Sequence, residues 1–447
     1  CGIAAGRLNL ADYAANFSDA HPPLNRAQAL IEAERCYYCY DAPCTTACPT
    51  SIDVPAFIAR IAQDNVRGAA REILTANPLG GMCSRVCPTE QLCEQACVRN
   101  TQEDKPVEIG ALQRYATDAF MASGGAPLFQ RAAATGRKVA VVGAGPAGLT
   151  CAHQLALQGH DVVLFDARPK LGGLNEYGLA SYKTPGDFAQ KEIDWLLSVG
   201  GITPRNNQRL GRDFTLDSLL AEHDAVFLGL GLAGVNALGA AEPQAEGLRN
   251  AVDFIADIRQ AADKSMVPVG LRVVVIGGGM TAVDASVQAR LLGADEVTMF
   301  YRRGKDALSA SWVEQEWAQT HGVNLRLWAA PQEILVQDGK VCGVRMACTR
   351  MEGDRLQVTQ EVFDVPADMV LKAIGQTYVA TPAGAAIALR DGRIDTDDEG
   401  RTSVPRVWAG GDCRAGGQDL TVQAVEHGKV AARAMHQALT SAVAAGV

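Results

Sequence analysis

Apolar and polar residues alternate with two different periods along this chain, and the change of period divides it. Between residues 25 and 120 the apolar positions recur at helical spacing, clearest over Arg26–Glu34 and Pro55–Ala76, with Pro and Gly punctuating the loops between them. A Gly- and Ala-rich stretch, Ser123–Gly136, reads as a linker. Short apolar runs then begin, of the kind that form strands buried on both faces. Lys138–Val142 and Asp161–Phe165 are predicted strands on either side of a helix over Leu149–Gln158. The same order returns as Arg272–Ile276, Ala282–Leu292 and Glu296–Tyr301. Helices alternating with strands imply parallel sheets with a ligand at the strand ends.

The last segment holds a strand over Val407, Trp408 and Ala409, a Gly-Gly-Asp turn and a helix from Thr421, too little for another domain. It is expected to complete the first α/β domain, with the second inserted between its halves. The expected boundaries are 1–127 for a helical domain, 128–263 and 380–447 for the first α/β domain, and 264–379 for the inserted one.

Composition narrows the class. The 447 residues are 48% hydrophobic and 20% charged, ordinary for a globular chain, and the net charge of −9 without a basic stripe speaks against a nucleic-acid surface. The longest apolar stretch, 225–241, is broken by glycines and Asn236. It reads as a buried strand, Ala225–Leu230, and a Gly-rich turn, since a membrane span needs about 20 continuous apolar residues. No leader segment is expected, and the cytoplasm is the expected compartment.

Eight of the 13 cysteines fall between Cys36 and Cys97. Cys36, Cys39, Cys44 and Cys48 form C-x2-C-x4-C-x3-C-P; Cys83, Cys87, Cys93 and Cys97 form C-x3-C-P-x4-C-x3-C. Zinc ribbons show two separated C-x2-C knuckles, whereas this density suits soft thiolates around iron and sulfide. In two-cluster ferredoxins the fourth cysteine, before the proline, serves the other cluster. On that pattern Cys36, Cys39 and Cys44 share one cluster and Cys48 crosses to a second, while counting leaves open which of the later four are ligands. Cys1, Cys151, Cys342, Cys348 and Cys413 are scattered and expected to be free thiols.

Two dinucleotide signatures follow. Gly143-Ala144-Gly145-Pro146-Ala147-Gly148 joins a strand to a helix start, where backbone N–H groups face a pyrophosphate. Asp166 ends the second strand, placed to accept from a ribose; Gly172-Gly173-Leu174 and Gly411-Asp412 are further small-residue turns suited to a flavin nucleotide. The second signature runs Gly277-Gly278-Gly279-Met280-Thr281-Ala282, and its second strand ends at Arg302 and Arg303 instead of an acid. Guanidinium groups there suit the 2′-phosphate of NADP; the alternative is a solvated basic turn. No Ser–His–Asp set or carboxylate pair stands out, and no catalytic residue is assigned, because hydride transfer needs stacking and orientation above all. His153 and His160 are expected at the surface of the first nucleotide domain.

With these motifs in place, the chain resembles the electron-input subunit of bacterial dihydropyrimidine dehydrogenase, in a wider group that includes the small subunit of glutamate synthase. The resemblance runs from about Asn25 to the C-terminus. It is most specific over Cys36–Pro49, Asn77–Cys97 and Ile109-Gly-Ala-Leu-Gln-Arg114. It implies an α/β fold: a helical domain with two [4Fe-4S] clusters, then two Rossmann-like domains, with the NAD(P) domain inserted in the FAD domain. It also implies that Cys36, Cys39, Cys44 and Cys97 hold one cluster and Cys48, Cys87, Cys93 and Gln113 the other, which leaves Cys83 outside both sets. FAD would lie on Gly143–Gly148, Asp166, Gly172–Leu174, Lys183, Leu210, Gly411, Asp412 and Thr421, and NAD(P) on Gly278–Thr281, Arg302, Arg303, Ala373, Ile374 and Gly375.

Two departures stand out, Lys183 in the FAD set and Ser309 beside the NAD(P) set. Lys183 stands where the animal enzyme has Arg, and Ser309 where NADPH-using relatives have a further Arg; two-subunit bacterial members use NADH. Five residues separate Cys87 from Cys93, against three in glutamate synthase small subunits, although ferredoxin–NADP transhydrogenase subunits share the wider spacing. The resemblance implies a hetero-oligomer, in which a partner carrying FMN and iron–sulfur clusters reduces uracil or thymine. The rivals are the glutamate synthase small subunit and a non-catalytic subunit that retains the folds.

Overall fold

The computed structural model describes residues 2–124, 127–380 and 387–444, so Cys1 and parts of the linker and of the last domain boundary lie outside it. The described chain forms two compact units.

The larger unit comprises 21–176, 186–233 and 378–447. Its N-terminal part is helical: Arg26–Glu34, Pro43–Ala47, Val54–Ala62, Val66–Ala76, Gly80–Val86 and Ile109–Ala122. The single helix expected over Pro55–Ala76 is two. Asp64 takes a left-handed φ of 60°, and the Asn65 side chain accepts from Gly68 N–H, starting a new helix where the apolar periodicity runs on unbroken. Phe57, Ile58, Ile61, Ile73 and Leu112 fill the core between these helices.

The same unit holds a five-stranded parallel sheet in the order Val407–Ala409, Ala225–Leu228, Lys138–Val142, Asp161–Phe165, Ile202–Arg205. The strand Val407–Ala409 pairs with Ala225–Leu228, so the last segment completes the first sheet. Helices Pro146–Leu157 and Thr421–Ala444 cover one face at close range. A Cβ on Gly428 would stand 2.3 Å from the Ala147 carbonyl oxygen, so glycine is needed at the crossing. Within this packing His153 and His160 are buried rather than superficial: His153 lies against Phe129 and Trp195, and burial lowers its pKa to about 4.

The second unit comprises 1–20, 177–185 and 234–377. Its parallel sheet has the order Leu248–Asn250, Met369–Lys372, Arg272–Ile276, Glu296–Tyr301, Val323–Leu327. A three-stranded antiparallel sheet, Ala329–Gln337, Lys340–Glu352 and Arg355–Pro366, is inserted before its last strand in sequence. The expected boundary at residue 264 moves to 234, because Leu248–Asn250 is a strand of this sheet and helix Ala251–Gln260 packs on helix Met280–Leu291. The first 20 residues also belong here and not to the helical domain: Ala4 pairs with Val269, and the Tyr13 hydroxyl donates to the Leu292 carbonyl.

Candidate functional site

Three cysteines of the first run, Cys36, Cys39 and Cys44, line one cavity with Cys97, which is distant from them in sequence. Cys36 follows the end of one helix, Cys44 sits in Pro43–Ala47, and Cys97 comes from the turn after Cys93. The remaining lining is largely apolar, with Val54, Ile58, Val107 and Ile109. Burial raises the Cys36 thiol, with Cys39 and Cys97 adding to it, and raises Cys44 to about 11. Such a site favours neutral thiols until a cationic centre compensates the thiolates. Among the described residues no set of three His, Cys, Asp or Glu could hold a single metal ion. Four soft thiol donors that converge on one apolar cavity are a donor set that an iron–sulfur cluster takes.

The later cysteines form a second group. Cys48 ends its helix before Pro49, and its sulfur is 3.3 Å from the Thr50 hydroxyl. Cys87 ends helix Gly80–Val86 before Pro88. Cys83 sits one turn earlier on that helix, buried, and its contact is the first cause of the raised Cys87 thiol, ahead of burial and of Cys93 and Cys48. The resemblance sets Cys83 aside, yet the fold brings it against Cys87. Gln113 is buried on helix Ile109–Ala122, where its Nε2 donates to the Gly80 carbonyl at 2.6 Å. With its nitrogen committed, the amide oxygen is the atom left to act as a donor to metal.

A residue the spacing did not indicate supports this second group. Glu192, fully buried on helix Phe188–Leu197, accepts from Gly81 N–H at 2.7 Å and from Met82 N–H at 3.2 Å. Gly81 is required there, since a Cβ would stand 2.7 Å from the carboxylate. Arg85 lies 3.4 Å over the Phe188 ring and pairs with Asp118 at 2.6 Å. Burial raises the Glu192 pKa from 4.5 to about 8, against the two N–H bonds and Arg85, which lower it. A raised acid retains its proton in the folded chain while the unfolded chain has lost it. The resulting stabilisation is therefore complete below pH 4.5 and is lost as pH rises through about 8. Glu192→Gln keeps an acceptor but does not titrate. The apparent melting point of the unaltered chain should fall relative to this variant between about pH 5 and about pH 8, by up to a few kcal/mol of stability. Parallel melting curves for the two proteins would remove Glu192 as the source.

In the first sheet the strand Lys138–Val142 runs into Gly143, whose φ is 96° and whose N–H donates to Phe165 O at 2.8 Å. Helix Pro146–Leu157 starts at the end of the turn, so it includes Pro146 and Gly148 and begins earlier than the apolar run indicated. A Cβ on Gly148 would lie 1.8 Å from Gly143 O. Asp166 accepts from Ala144 N–H at 2.7 Å and Arg168 N–H at 2.8 Å, which fixes the carboxylate beside the turn. Gly172 N–H donates to Ala144 O, and a Cβ on Gly173 would stand 2.7 Å from Gly145 Cα, so the two glycine turns touch backbone to backbone. Leu174 follows as an exposed side chain at the start of a short helix.

On the other side of the turn, Gly411 N–H donates to His427 Nδ1 at 3.2 Å, and a Cβ on Gly411 would meet Ala147 at 3.1 Å. Burial, then Asp419, raises Asp412 to about 6. Thr421 donates to Asn175 Oδ1 at 2.9 Å. His427 and Asn175 carried no motif in the sequence. The Leu210 side chain is buried in the core with Phe165 and Leu216. These turns form a narrow backbone cradle, of the kind an FAD pyrophosphate fits.

Lys183 lies in the other unit. Its ammonium is 2.8 Å from Asp284 and 2.6 Å from Glu314; burial opposes its charge, but the two carboxylates raise its pKa. The charge expected to serve a flavin is thus engaged by acids that follow the second glycine turn.

In that unit Gly277, with φ 152°, donates to Phe300 O, and a Cβ on it would stand 2.1 Å from Ala373 O. Gly278 is covered by Tyr301 and Leu308, and Gly279 precedes helix Met280–Leu291, which carries Met280 and Thr281 in its first turn. Ala373, Ile374 and Gly375 follow Met369–Lys372 at the same sheet edge; Asn236 bonds the carbonyls of Ile374 and Gly375, each at 3.1 Å. Arg302, Arg303 and Ser309 are exposed, and neither arginine is paired with a carboxylate among the described residues.

Two family models match successive parts of the chain. Residues 13–125 match the family model for dihydropyrimidine dehydrogenase domain II, 4Fe-4S cluster, and 137–428 match that for pyridine nucleotide-disulphide oxidoreductases. The chain is 35% identical over 439 residues to the glutamate synthase [NADPH] small chain of Escherichia coli, covering 93% of this chain and 92% of that protein. It is 34% identical over 421 residues to the NAD-dependent dihydropyrimidine dehydrogenase subunit PreT of the same organism, covering 94% and 97%. It spans 66% of the length of a putative oxidoreductase, AegA, at 34% identity over 93% of this chain. Among solved structures, FprA of Mycobacterium tuberculosis in complex with NADPH aligns over 69% of this chain and 86% of its own, at TM-score 0.60 and 19% identity. The thioredoxin reductase of T. acidophilum aligns over 69% and 99%, at 0.54 and 22%, a likeness of fold alone. Among the described residues no helix is long and apolar enough to cross a membrane.

Proposed function

The chain belongs to the pyridine nucleotide-disulphide oxidoreductase family, with a dihydropyrimidine dehydrogenase iron–sulfur domain ahead of it, and from that premise we propose that it is the electron-input subunit of a pyrimidine-reducing enzyme. It is an NAD(P)H-dependent flavin and iron–sulfur oxidoreductase subunit. The glycine turns at Gly143–Gly148 and Gly411–Asp412 would hold FAD, which would supply the exchange between two-electron and one-electron chemistry, and the two cysteine sets would hold [4Fe-4S] clusters that carry single electrons.

The observation that carries the reading is the convergence of Cys36, Cys39, Cys44 and Cys97 on one apolar cavity in the unit that also holds the flavin-type turn. Within that unit the other ligand set, Cys48, Cys87, Cys93 and Gln113, is fastened to helices of the flavin fold. Lys429 donates to Thr50 O at 3.2 Å, and Glu192 caps the helix leading to Cys87. The first set instead lies under a loop with exposed Tyr37, Tyr38 and Tyr40. The module therefore has an inner set toward the flavin fold and an outer set toward the surface.

The partner in this proposal carries FMN and iron–sulfur clusters and reduces uracil or thymine to the 5,6-dihydro base, in a hetero-oligomer in the cytoplasm, where thiols are kept reduced. Isolation of the native complex tests it: an FMN barrel subunit without a glutaminase region is expected. A glutamate-forming partner would support the other reading, which the 35% identity to a glutamate synthase small chain keeps open. Bleaching of the flavin absorbance by NADH or NADPH is expected from the chain alone. Uracil reduction by the chain alone would contradict the division of labour.

The dinucleotide choice rests on two exposed guanidiniums. Replacing Arg302 and Arg303 together by Ala should raise the KM for NADPH on the order of 10–100-fold and barely change that for NADH, given the strength of charged hydrogen bonds to phosphate. Equal effects on both would leave the turn as a solvated basic loop.

A further inference from the structure

The nicotinamide unit presents one more group at its cofactor edge. Trp328 follows directly on strand Val323–Leu327, whose last residue is in register with Tyr301. It stands at the C-terminal ends of the parallel strands, beside Arg302 and Arg303, at the edge where such sheets bind ligands. The indole is 39% exposed, and its backbone has φ 59°, a region that a bulky side chain rarely adopts.

Local bonds hold it there. Trp328 N–H donates to Arg303 O at 3.4 Å, Thr349 N–H donates to Trp328 O at 2.8 Å, and Thr349 Oγ1 donates to Arg302 O at 2.8 Å. The ring covers Gly304, where a Cβ would stand 2.8 Å from Trp328 Cζ2. Indole and basic turn are thus one rigid piece, which keeps a flat apolar surface in water beside two unpaired cations.

Sheet order gives this surface a direction. The glycine turn after Arg272–Ile276 lies between Ala373–Gly375 on one side and Arg302, Arg303 and Trp328 on the other. A dinucleotide with its pyrophosphate on that turn extends both ways, and guanidiniums that suit a 2′-phosphate mark the adenosine half. We propose that Trp328 is the platform on which the adenine of NAD(P)H stacks, with Arg302 and Arg303 holding the adjoining ribose or its 2′-phosphate. The proposal rests on the reading of this unit as NAD(P)-binding, and names a residue that no glycine or arginine motif indicates.

The test uses the flavin-loaded chain with Trp328→Ala, Trp328→Leu and Trp328→Phe. ADP-ribose and its 2′-phosphate are titrated calorimetrically, and the flavin is reduced with NADH and with reduced nicotinamide mononucleotide, which lacks adenosine. Ala and Leu should weaken both ADP-ribose ligands and raise the KM for NADH about tenfold, as loss of one base–aromatic stack implies, while Phe retains most of the affinity. Reduction by the mononucleotide should not change. Unchanged ADP-ribose affinity in Trp328→Leu, or an equal loss with the mononucleotide, would overturn the proposal. Failure of the unaltered chain to bind ADP-ribose or either dinucleotide would instead overturn the reading of the unit on which it rests.

Discussion

Gly148→Ala should yield a chain that purifies with its iron and without its flavin. The added Cβ would be 1.8 Å from Gly143 O, an overlap of main chain with side chain that no rotamer relieves. Relief requires the start of helix Pro146–Leu157 to withdraw from the turn, yet Gly143 is itself held by its bond to Phe165 O, and its own Cβ position faces Gly229 O at 2.2 Å. The N–H groups that would face the pyrophosphate move with the helix, so the affinity for FAD should fall on the order of 100-fold or more, the scale of losing two charged hydrogen bonds. Flavin absorbance per chain is the measurement, and iron and sulfide content is the control for folding. A variant with full flavin occupancy would show that the turn does not bear the cofactor.

The second large effect concerns the cysteine cavity. Cys97→Ala should halve the iron and sulfide per chain and abolish one of two reduced-cluster resonances, because a cluster left with three thiolates from Cys36, Cys39 and Cys44 is no longer closed off from water. Reduction of the flavin by NAD(P)H should persist, while electron delivery to a one-electron acceptor falls on the order of 100-fold. Cys83→Ala provides the contrast. Cys83 is buried against Cys87, but the resemblance assigns it no cluster, so this variant should keep its iron. If Cys83→Ala lost half the iron and Gln113→Leu did not, the ligand assignment of the second group would pass from the amide to the thiol.

Much of the fold was legible because its elements announce themselves locally. Strands Lys138–Val142, Asp161–Phe165, Arg272–Ile276 and Glu296–Tyr301 have the bounds their apolar runs predicted, since each opens on a charged residue and is then almost wholly buried. Helix starts were less legible. Pro146 and Met280 open their helices with residues that belong to the glycine motifs, and the motif conceals the first turn. The break at Asp64 was invisible to periodicity because the apolar face continues across it.

The candidate site divides in the same way. Cysteine spacing and glycine turns are short-range patterns, because a cluster loop or a phosphate-binding turn is built from residues a few positions apart, and the chain alone therefore determined the chemistry and the order of the domains. Tertiary structure decided what those groups meet. It brought Cys97 to the cavity of Cys36, gave Glu192 the helix start at Gly81, engaged Lys183 with Asp284 and Glu314, and carried residues 1–20, 177–185 and 234–263 into the nicotinamide unit. Each of these joins positions distant along the chain, through burial, charge pairing or strand order. No periodicity records such contacts, since they exist only once the sheets have assembled and excluded water from between them.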